Sequence, residues 1–387
     1  MKITSIEAFS FRLPTRRDFS WASLQVPLGG FVFVEIMTDS DYSGIGEATP
    51  LPDWGGDNGC HGGETQNTVI DIIKSTIAPA LIGTDPTQIE MAHIRMDKVL
   101  RGNSYARCAV DMALHDLWGK DLGQPVYKLL GGEVRERAAI AHMIGIMSTE
   151  DAVEEAMLAI NDGVRAFQIK GGRDAMRDIR TVHAIRKAVG PDIFLRLDAN
   201  QGYHRAKTAQ RILVQMDGLL DMVEQPVKDI AEMAELRLLS GIDVIADESC
   251  WDEYDALSLV RRKAADAISI YLAKAGGIAR ARRVAAIADA AGLPCDVNGS
   301  IESAIGTAAN MHFAISTKAV SLACVTSVTA PAGKITNKTG GHYYLDDVVD
   351  EAFPFAMGGL RPPKGPGLGL KINRQKLERF REVNAKS

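Results

Sequence analysis

Lys170, Asp198, Glu224, Asp247 and Tyr271 each stand near the end of a short apolar run, with successive members 28, 26, 23 and 24 residues apart. Three carboxylates delivered to one place repel one another and raise their own pKa values, and a hard divalent cation removes the conflict. The all-oxygen set Asp198, Glu224 and Asp247 favours one Mg²⁺ over zinc. Lys170 closes AFQIK, sharing a strand face with Gln168, one step before the first acid. Beside a cation and inside a closed fold its pKa should fall, which makes it a usable general base. Such a set serves removal of the proton α to a carboxylate, with Mg²⁺ stabilising the enediolate. Acids at strand ends can instead cap the following helices. Three in succession at one period, with a lysine a step earlier, favour the metal. Glu248 adjoins Asp247 as an alternative ligand, but opposite strand parity disfavours it.

A step of about 25 residues is what a strand–helix unit needs. From AIAHMIGI onward the runs AFQIKGG, IFLRLDANQ, LLDMVEQP, DVIADES, AISIYLAKAGG, PCDVNGS and SLACVTSV follow, most of them separated by helical stretches. Eight such runs predict a (β/α)₈ barrel over 131–330, with its site at the C-terminal strand ends. An open doubly wound sheet would carry a glycine-rich phosphate turn after the first strand, and none is present. Alternation puts Arg196, Asp198 and Asn200 on one face and Leu195 and Leu197 on the other. Asp296, Asn298 and Ser300 on the seventh run, and Glu302 just beyond, are placed to meet substrate or Lys170.

Residues 1–130 predict a separate α+β domain. FVFVEI at 31–36 and GIGEATP at 44–50 flank a polar turn and read as an antiparallel hairpin. A glycine-rich loop over 51–64 follows. Val69, Ile70, Ile73, Ile77 and Leu81 then recur at helical spacing, and a second helix over 104–123 stops at Gly123 near Pro125. Residues 331–387 read as a return strand and tail, with one short charged helix, attached to this first domain.

The composition bounds the partners. Lys and Arg number 44 against 49 Asp and Glu, and no block of like charge occurs, so nucleic acid and anionic membrane are not expected. The cysteines, Cys60, Cys108, Cys250, Cys295 and Cys324, are odd in number and lack CxxC spacing. That excludes a disulfide framework and a structural zinc, and fits a reducing compartment. With no signal-like N-terminus and no apolar run of about 18 residues, a cytoplasmic location is expected.

In order and spacing, the motifs VEIMTDSDYSGIGEA, AVDMALHDLWGKDLGQPVYKLLGG, FQIKGG, LDANQGY, VEQP, ADES, LAKAGGI, SIESAIGTAANMHFA and GPGLGL make the chain resemble the enolase superfamily, muconate lactonizing enzyme subgroup. The resemblance covers nearly the whole chain. It implies a modified barrel under an N-terminal α+β capping domain completed by the C-terminal segment, and one Mg²⁺ on Asp198, Glu224 and Asp247. It implies Lys170 as base on a small carboxylate substrate, and a homo-oligomer is expected. Two capping loops close over the substrate in that family; here they carry Arg16, Arg17, Phe19 and Trp21, and Asp53, Trp54, Asp57 and His61. Two departures stand out. Gln168 replaces the first lysine of the family's Lys-x-Lys, and Tyr271 replaces the second base on the sixth strand. Lys274, three residues on, has the wrong strand parity to substitute directly. A phenol is a poor base, which favours a one-base isomerase (a cycloisomerase before an epimerase) and leaves a dehydratase as the alternative.

Overall fold

The computed structural model describes residues 1–24, 27–56, 61–328, 330–334 and 339–382; Asp57 and Cys60 lie outside them. The hairpin expected from residues 31–50 is the second half of a three-stranded antiparallel sheet. Ile3–Arg12 pairs with Gly30–Thr38, setting Phe9 opposite Phe33 and Phe11 opposite Phe31, and Gly30–Thr38 pairs with Ser43–Ala48. Helix Ser104–Asp121 lies directly on the third strand. The approach requires glycine, since a Cβ on Gly46 would come within 1.9 Å of the Ala109 carbonyl oxygen. The helix expected after Glu64 begins at Gln66, where the Thr65 side chain accepts the Thr68 N–H, and passes through a π turn at Ile73–Ile77. A third helix, Ile89–Val99, was not distinguished by periodicity.

The barrel strands are Ala141–Ile144, Ala166–Lys170, Phe194–Asp198, Met222–Glu224, Asp243–Ala246, Ala267–Ile270 and Cys295–Val297, all parallel and paired in sequence order. The expected eighth strand is irregular. Its run closes the ring through two parallel bridges, Cys295 with Val320 and Ile140 with Cys324. The result is a barrel with seven regular strands and one bridging segment, the modified (β/α)₈ architecture beneath a strand-rich N-terminal cap.

The return strand expected in the C-terminal segment does not form in the cap sheet among the described residues. Two-residue strands at Phe355–Ala356 and Gly359–Leu360 form a hairpin instead, and Gly359–Leu360 pairs with Ala138–Ala139 at the entry to the barrel. The rest of the segment does tie to the cap. Thr15 bridges Tyr344, Phe11 bridges Arg381, and helix Arg374–Phe380 is held by Arg374 on Glu35. No described helix is long and apolar enough to cross a membrane.

Candidate active site

Register brings the acids together. Lys170, Asp198 and Glu224 are Cα partners across adjacent parallel strands, so their side chains leave at one level. One carboxylate oxygen from each of Asp198, Glu224 and Asp247 lies within 4.8 Å of the others, and all three residues are fully buried. The helices after the second, fourth and fifth strands are capped by other acids, Asp174, Asp229 and Asp252. The strand-end carboxylates are therefore not spent on capping.

Each of the three faces a cation. Lys170 Nζ lies 2.5 Å from Asp198 Oδ2, Arg196 Nε 3.1 Å from Glu224 Oε2, and Lys274 Nζ 2.6 Å from Asp247 Oδ1. Arg196 also reaches Asp296 at 2.5 Å, so Asp296 sits beneath the site as a partner of Arg196 rather than in the cavity. Glu248 accepts from Asn200 at 3.1 Å and Trp54 at 3.3 Å. Five buried carboxyl groups thus meet three cationic side chains, an excess of acid that further positive charge would balance. Burial, reinforced by the neighbouring acids, pushes Asp198 up to about 7 and Asp247 and Glu248 upward as well. An all-oxygen, over-negative, buried donor set is what a hard cation fits.

Lys170 departs from expectation in one respect. Burial lowers its pKa, but Asp198 and Glu224 outweigh burial and hold the ammonium above its ordinary value. The expected lowering counted a cation without the carboxylates that would hold it.

Gln168 donates to Glu224 at 2.8 Å and to Asp198 at 3.3 Å, and Asn298 donates to Glu224 at 3.0 Å. Gln225, with φ 36°, accepts the Asp247 N–H and so fixes the loop carrying that acid. Tyr271 donates to Asp247 Oδ2 at 3.2 Å. Burial drives its phenol pKa well above the ordinary value, and nearby carboxylates add to the effect.

These groups lie beneath a narrow cavity of about 20 Å³ that Lys170, Asn200, Tyr271 and Asn298 line. Two tryptophans roof it from the cap loops. Trp21 lies with its ring 5.5 Å from Lys170 Nζ, and Trp54 stacks on Tyr271 at 5.1 Å between centroids. The other expected contacts fall elsewhere. Arg16 turns to the His342 carbonyl and Glu155, while Glu302 accepts the Ser300 N–H and the Asn310 amide, away from the cavity. His61 pairs with Asp255 at 3.2 Å and stacks on Trp251, outside the cavity.

The sequence did not single out Met143, Ile301 and Val325, which also line the cavity. Val325 lies in the eighth run and was findable there. Ile301 faces inward through a left-handed backbone, φ 61°, that no residue pattern announced.

Two family models match this chain. The mandelate racemase/muconate lactonizing enzyme N-terminal domain covers residues 5–131, and the enolase C-terminal domain-like model covers 151–376. The chain is 34% identical to an N-succinyl-L-Arg/Lys racemase of Bacillus cereus, over 98% of this chain and 97% of that one. It is 31% identical to muconate cycloisomerase 1 of Rhodococcus opacus, over 96% of each. Among solved structures, the muconate lactonizing enzyme of Pseudomonas fluorescens complexed with muconolactone superposes with TM-score 0.89 at 31% identity, covering 98% of this chain and 99% of that one. With a capped barrel, converging strand-end acids and these relatives over almost its full length, the chain belongs to the enolase superfamily, in its mandelate racemase/muconate lactonizing enzyme group, and is an enzyme.

Proposed function

We propose that the protein is a Mg²⁺-dependent isomerase that removes the proton α to the carboxylate of a small acid, with Lys170 as the base. The observation that carries the reading is Lys170 Nζ at 2.5 Å from Asp198, on a cavity floor where three buried carboxylates converge. Mg²⁺ held by Asp198, Glu224 and Asp247 would supply positive charge beside the substrate carboxylate, make its α-proton more acidic, and offset the carboxylates that hold Lys170 protonated, freeing it to act as base. Lys170 takes the α-proton from one face as the C–O bond at the β-carbon breaks and its electron pair leaves with the carboxylate oxygen, opening the ring; in the reverse direction that oxygen adds to the β-carbon and Lys170 returns the proton to the same face. Gln168 and Asn298 hold Glu224 in place, and the Trp21 and Trp54 roof excludes water from the carbanionic centre.

The relatives include racemases and epimerases, which move a proton between faces, and cycloisomerases, for which one base suffices. Tyr271 stands on the strand opposite Lys170 in the ring and is a neutral donor, which supports the one-face reaction. It also suits a dehydratase, in which the phenol would assist a leaving hydroxyl; product mass separates the two, since isomerisation conserves it and dehydration removes one water.

The test is α-hydrogen exchange in D₂O across a panel of carboxylic acids with Mg²⁺. Exchange by the wild type and none by Lys170→Ala, with Mg²⁺ affinity retained, is the expected result. Persistent exchange in that variant would assign the base elsewhere.

A further inference from the structure

We infer that the acid this site accepts is an α-amino acid, and that the side-chain oxygens of Gln168 and Asn200 read its free ammonium. The inference rests on the reading above in placing the substrate carboxylate by the strand-end acids and its α-carbon by Lys170.

Three polar atoms of the cavity lining have no hydrogen-bond partner among the described residues: Gln168 Oε1, Asn200 Oδ1 and Ser300 Oγ. All three residues are buried. The two amides cannot turn over. Gln168 Nε2 donates to Glu224 and Asp198, and Asn200 Nδ2 donates to Glu248. A flipped amide would set its oxygen against a carboxylate, so each nitrogen is spent and each oxygen is left as an acceptor. A buried acceptor without a donor is costly, and a ligand that brings the donor recovers that cost. Where a lysine at position 168 would present donors and positive charge, the glutamine presents an acceptor. The group that meets it must therefore be a donor.

Several observations favour an ammonium over a hydroxyl. An ammonium carries three donors for this set, and a hydroxyl carries one. The carboxyl groups that orient the two amides are themselves buried close by, in an excess of acid that suits positive charge. The rings of Trp21, Trp54 and Tyr271 line the same cavity. Such faces attract cations, and the ammonium groups of Lys170 and Lys274 already lie 5.5 Å from the Trp21 ring and 4.4 Å from the Tyr271 ring. Gln168 and Lys170 share a strand face and both reach Asp198 Oδ2, at 3.3 and 2.5 Å. The group that Gln168 reads is thus next to the carbon that Lys170 deprotonates, which makes it an α-substituent. The space of about 20 Å³ holds one water-sized group. A whole amino acid exceeds it, so the tryptophan roof must give way as the ligand enters.

Ligand-observed NMR titration of the full Mg²⁺-loaded chain tests the inference, with each enantiomer of 2-aminobutanoate, 2-hydroxybutanoate, butanoate and N-formyl-2-aminobutanoate as probes. The better enantiomer of 2-aminobutanoate should bind about tenfold more tightly, or more, than any of the other three acids. Equal or tighter binding of the hydroxy acid or of butanoate overturns the amino group, and of the N-formyl acid overturns its charge. Binding of none of them overturns the inference as well. In Gln168→Lys, whose ammonium can still donate to Glu224 and Asp198, the preference for the amino acid over butanoate should fall about tenfold. An unchanged preference in a variant with wild-type Mg²⁺ affinity and thermal stability overturns the role of Gln168. Should that variant lose either, Asn200→Gly, which accepts the left-handed backbone of φ 42° at that position, is judged by the same ratio. Binding requires no turnover, so the two readings fail separately. A preference for the amino acid without α-hydrogen exchange in any acid would sink the reaction and leave the ligand class standing. Exchange confined to acids without an amino group would do the reverse.

Discussion

Lys274 and Tyr271 both bind Asp247, the ammonium at Oδ1 and the phenol at Oδ2, 2.6 and 3.2 Å away. Strand parity had set Lys274 on the wrong face. The sixth strand, however, ends at Ile270, and Leu272–Ala275 is a single helical turn with Tyr271 at its start. Along a helix, residues three apart return to one face, so both side chains meet the same acid. Lys274 is walled from the cavity by the Tyr271 ring, 4.4 Å from its Nζ.

Removing the ammonium while keeping the stem, as in Lys274→Met, leaves Asp247 as a less compensated buried charge. Loss of one partner of such a pair costs on the order of 3–5 kcal/mol. Saturating Mg²⁺ should restore much of that loss if Asp247 is a ligand. Urea unfolding of the variant with and without Mg²⁺ measures the difference, and an equal deficit in both conditions would remove Asp247 from the donor set.

Glu155 joins the early cap loop to the barrel, accepting from His142, Arg16 and Arg17. His142 Nδ1 accepts the Gly341 N–H, which leaves Nε2 as the donor to Glu155. Burial opposes ionisation of Glu155, but the His142 hydrogen bond and the Arg17 charge prevail and hold its pKa at about 2, below the ordinary 4.5. A depressed carboxylate contributes stability that is complete above its unfolded pKa and lost as pH falls toward the folded one. Wild-type stability should therefore fall between about pH 4.5 and 2, by something on the order of 3 kcal/mol from this group. Glu155→Gln should be less stable at pH 7 and show a flatter acid limb in denaturant titrations; an unchanged limb would assign the acid sensitivity to other groups.

The seam between cap and barrel has the opposite sign. Burial, with neighbouring Glu302 and Asp347, raises Glu47 to about 8 despite its hydrogen bonds from Ser303, and burial lifts Glu302 and Asp347 to about 7. A raised acid favours folding below its unfolded pKa, and that contribution is lost as pH rises through the folded value. Stability should decline from about pH 4.5 to 8, by on the order of 5 kcal/mol from Glu47. In Glu47→Gln the part of the decline carried by Glu47 should vanish in parallel urea titrations, leaving the shallower slope of Glu302 and Asp347, and a full wild-type slope would contradict the assignment.

The parts of the site legible in the sequence were those that repeat with the strand period. Lys170, Asp198, Glu224 and Asp247 each sit at a strand end, and parallel register converts equal spacing into convergence. What escaped depends on where regular structure stops. The turn at Lys274, the left-handed Ile301 and the irregular eighth run all lie past a strand end, where neither period applies. Arg16 and Glu302 look like substrate contacts in a linear reading, since Glu155, Asn310 and the Ser300 N–H that occupy them are revealed only by the fold.

Tyr271 should make the chemistry one-sided. In the wild type it lines the cavity, and its raised pKa keeps it protonated, able to donate but not to abstract. Losing the hydrogen bond it donates to the charged Asp247, which lies beneath the substrate carboxylate in the proposed reaction, costs on the order of 1.5–3 kcal/mol. Tyr271→Phe should accordingly slow turnover by about 10–150-fold, while keeping the ring that stacks under Trp54. Lys170→Ala should be inactive by comparison. The sharper measurement follows deuterium uptake from D₂O with each enantiomer of an exchanging substrate, run separately. Label should enter the enantiomer whose α-hydrogen faces Lys170 and be at least a hundredfold slower in its mirror image. Comparable uptake from both would mean that a second base reaches the cavity from the Tyr271 side. Lys274 would then be the nearest candidate, and its loss should abolish exchange in one enantiomer alone.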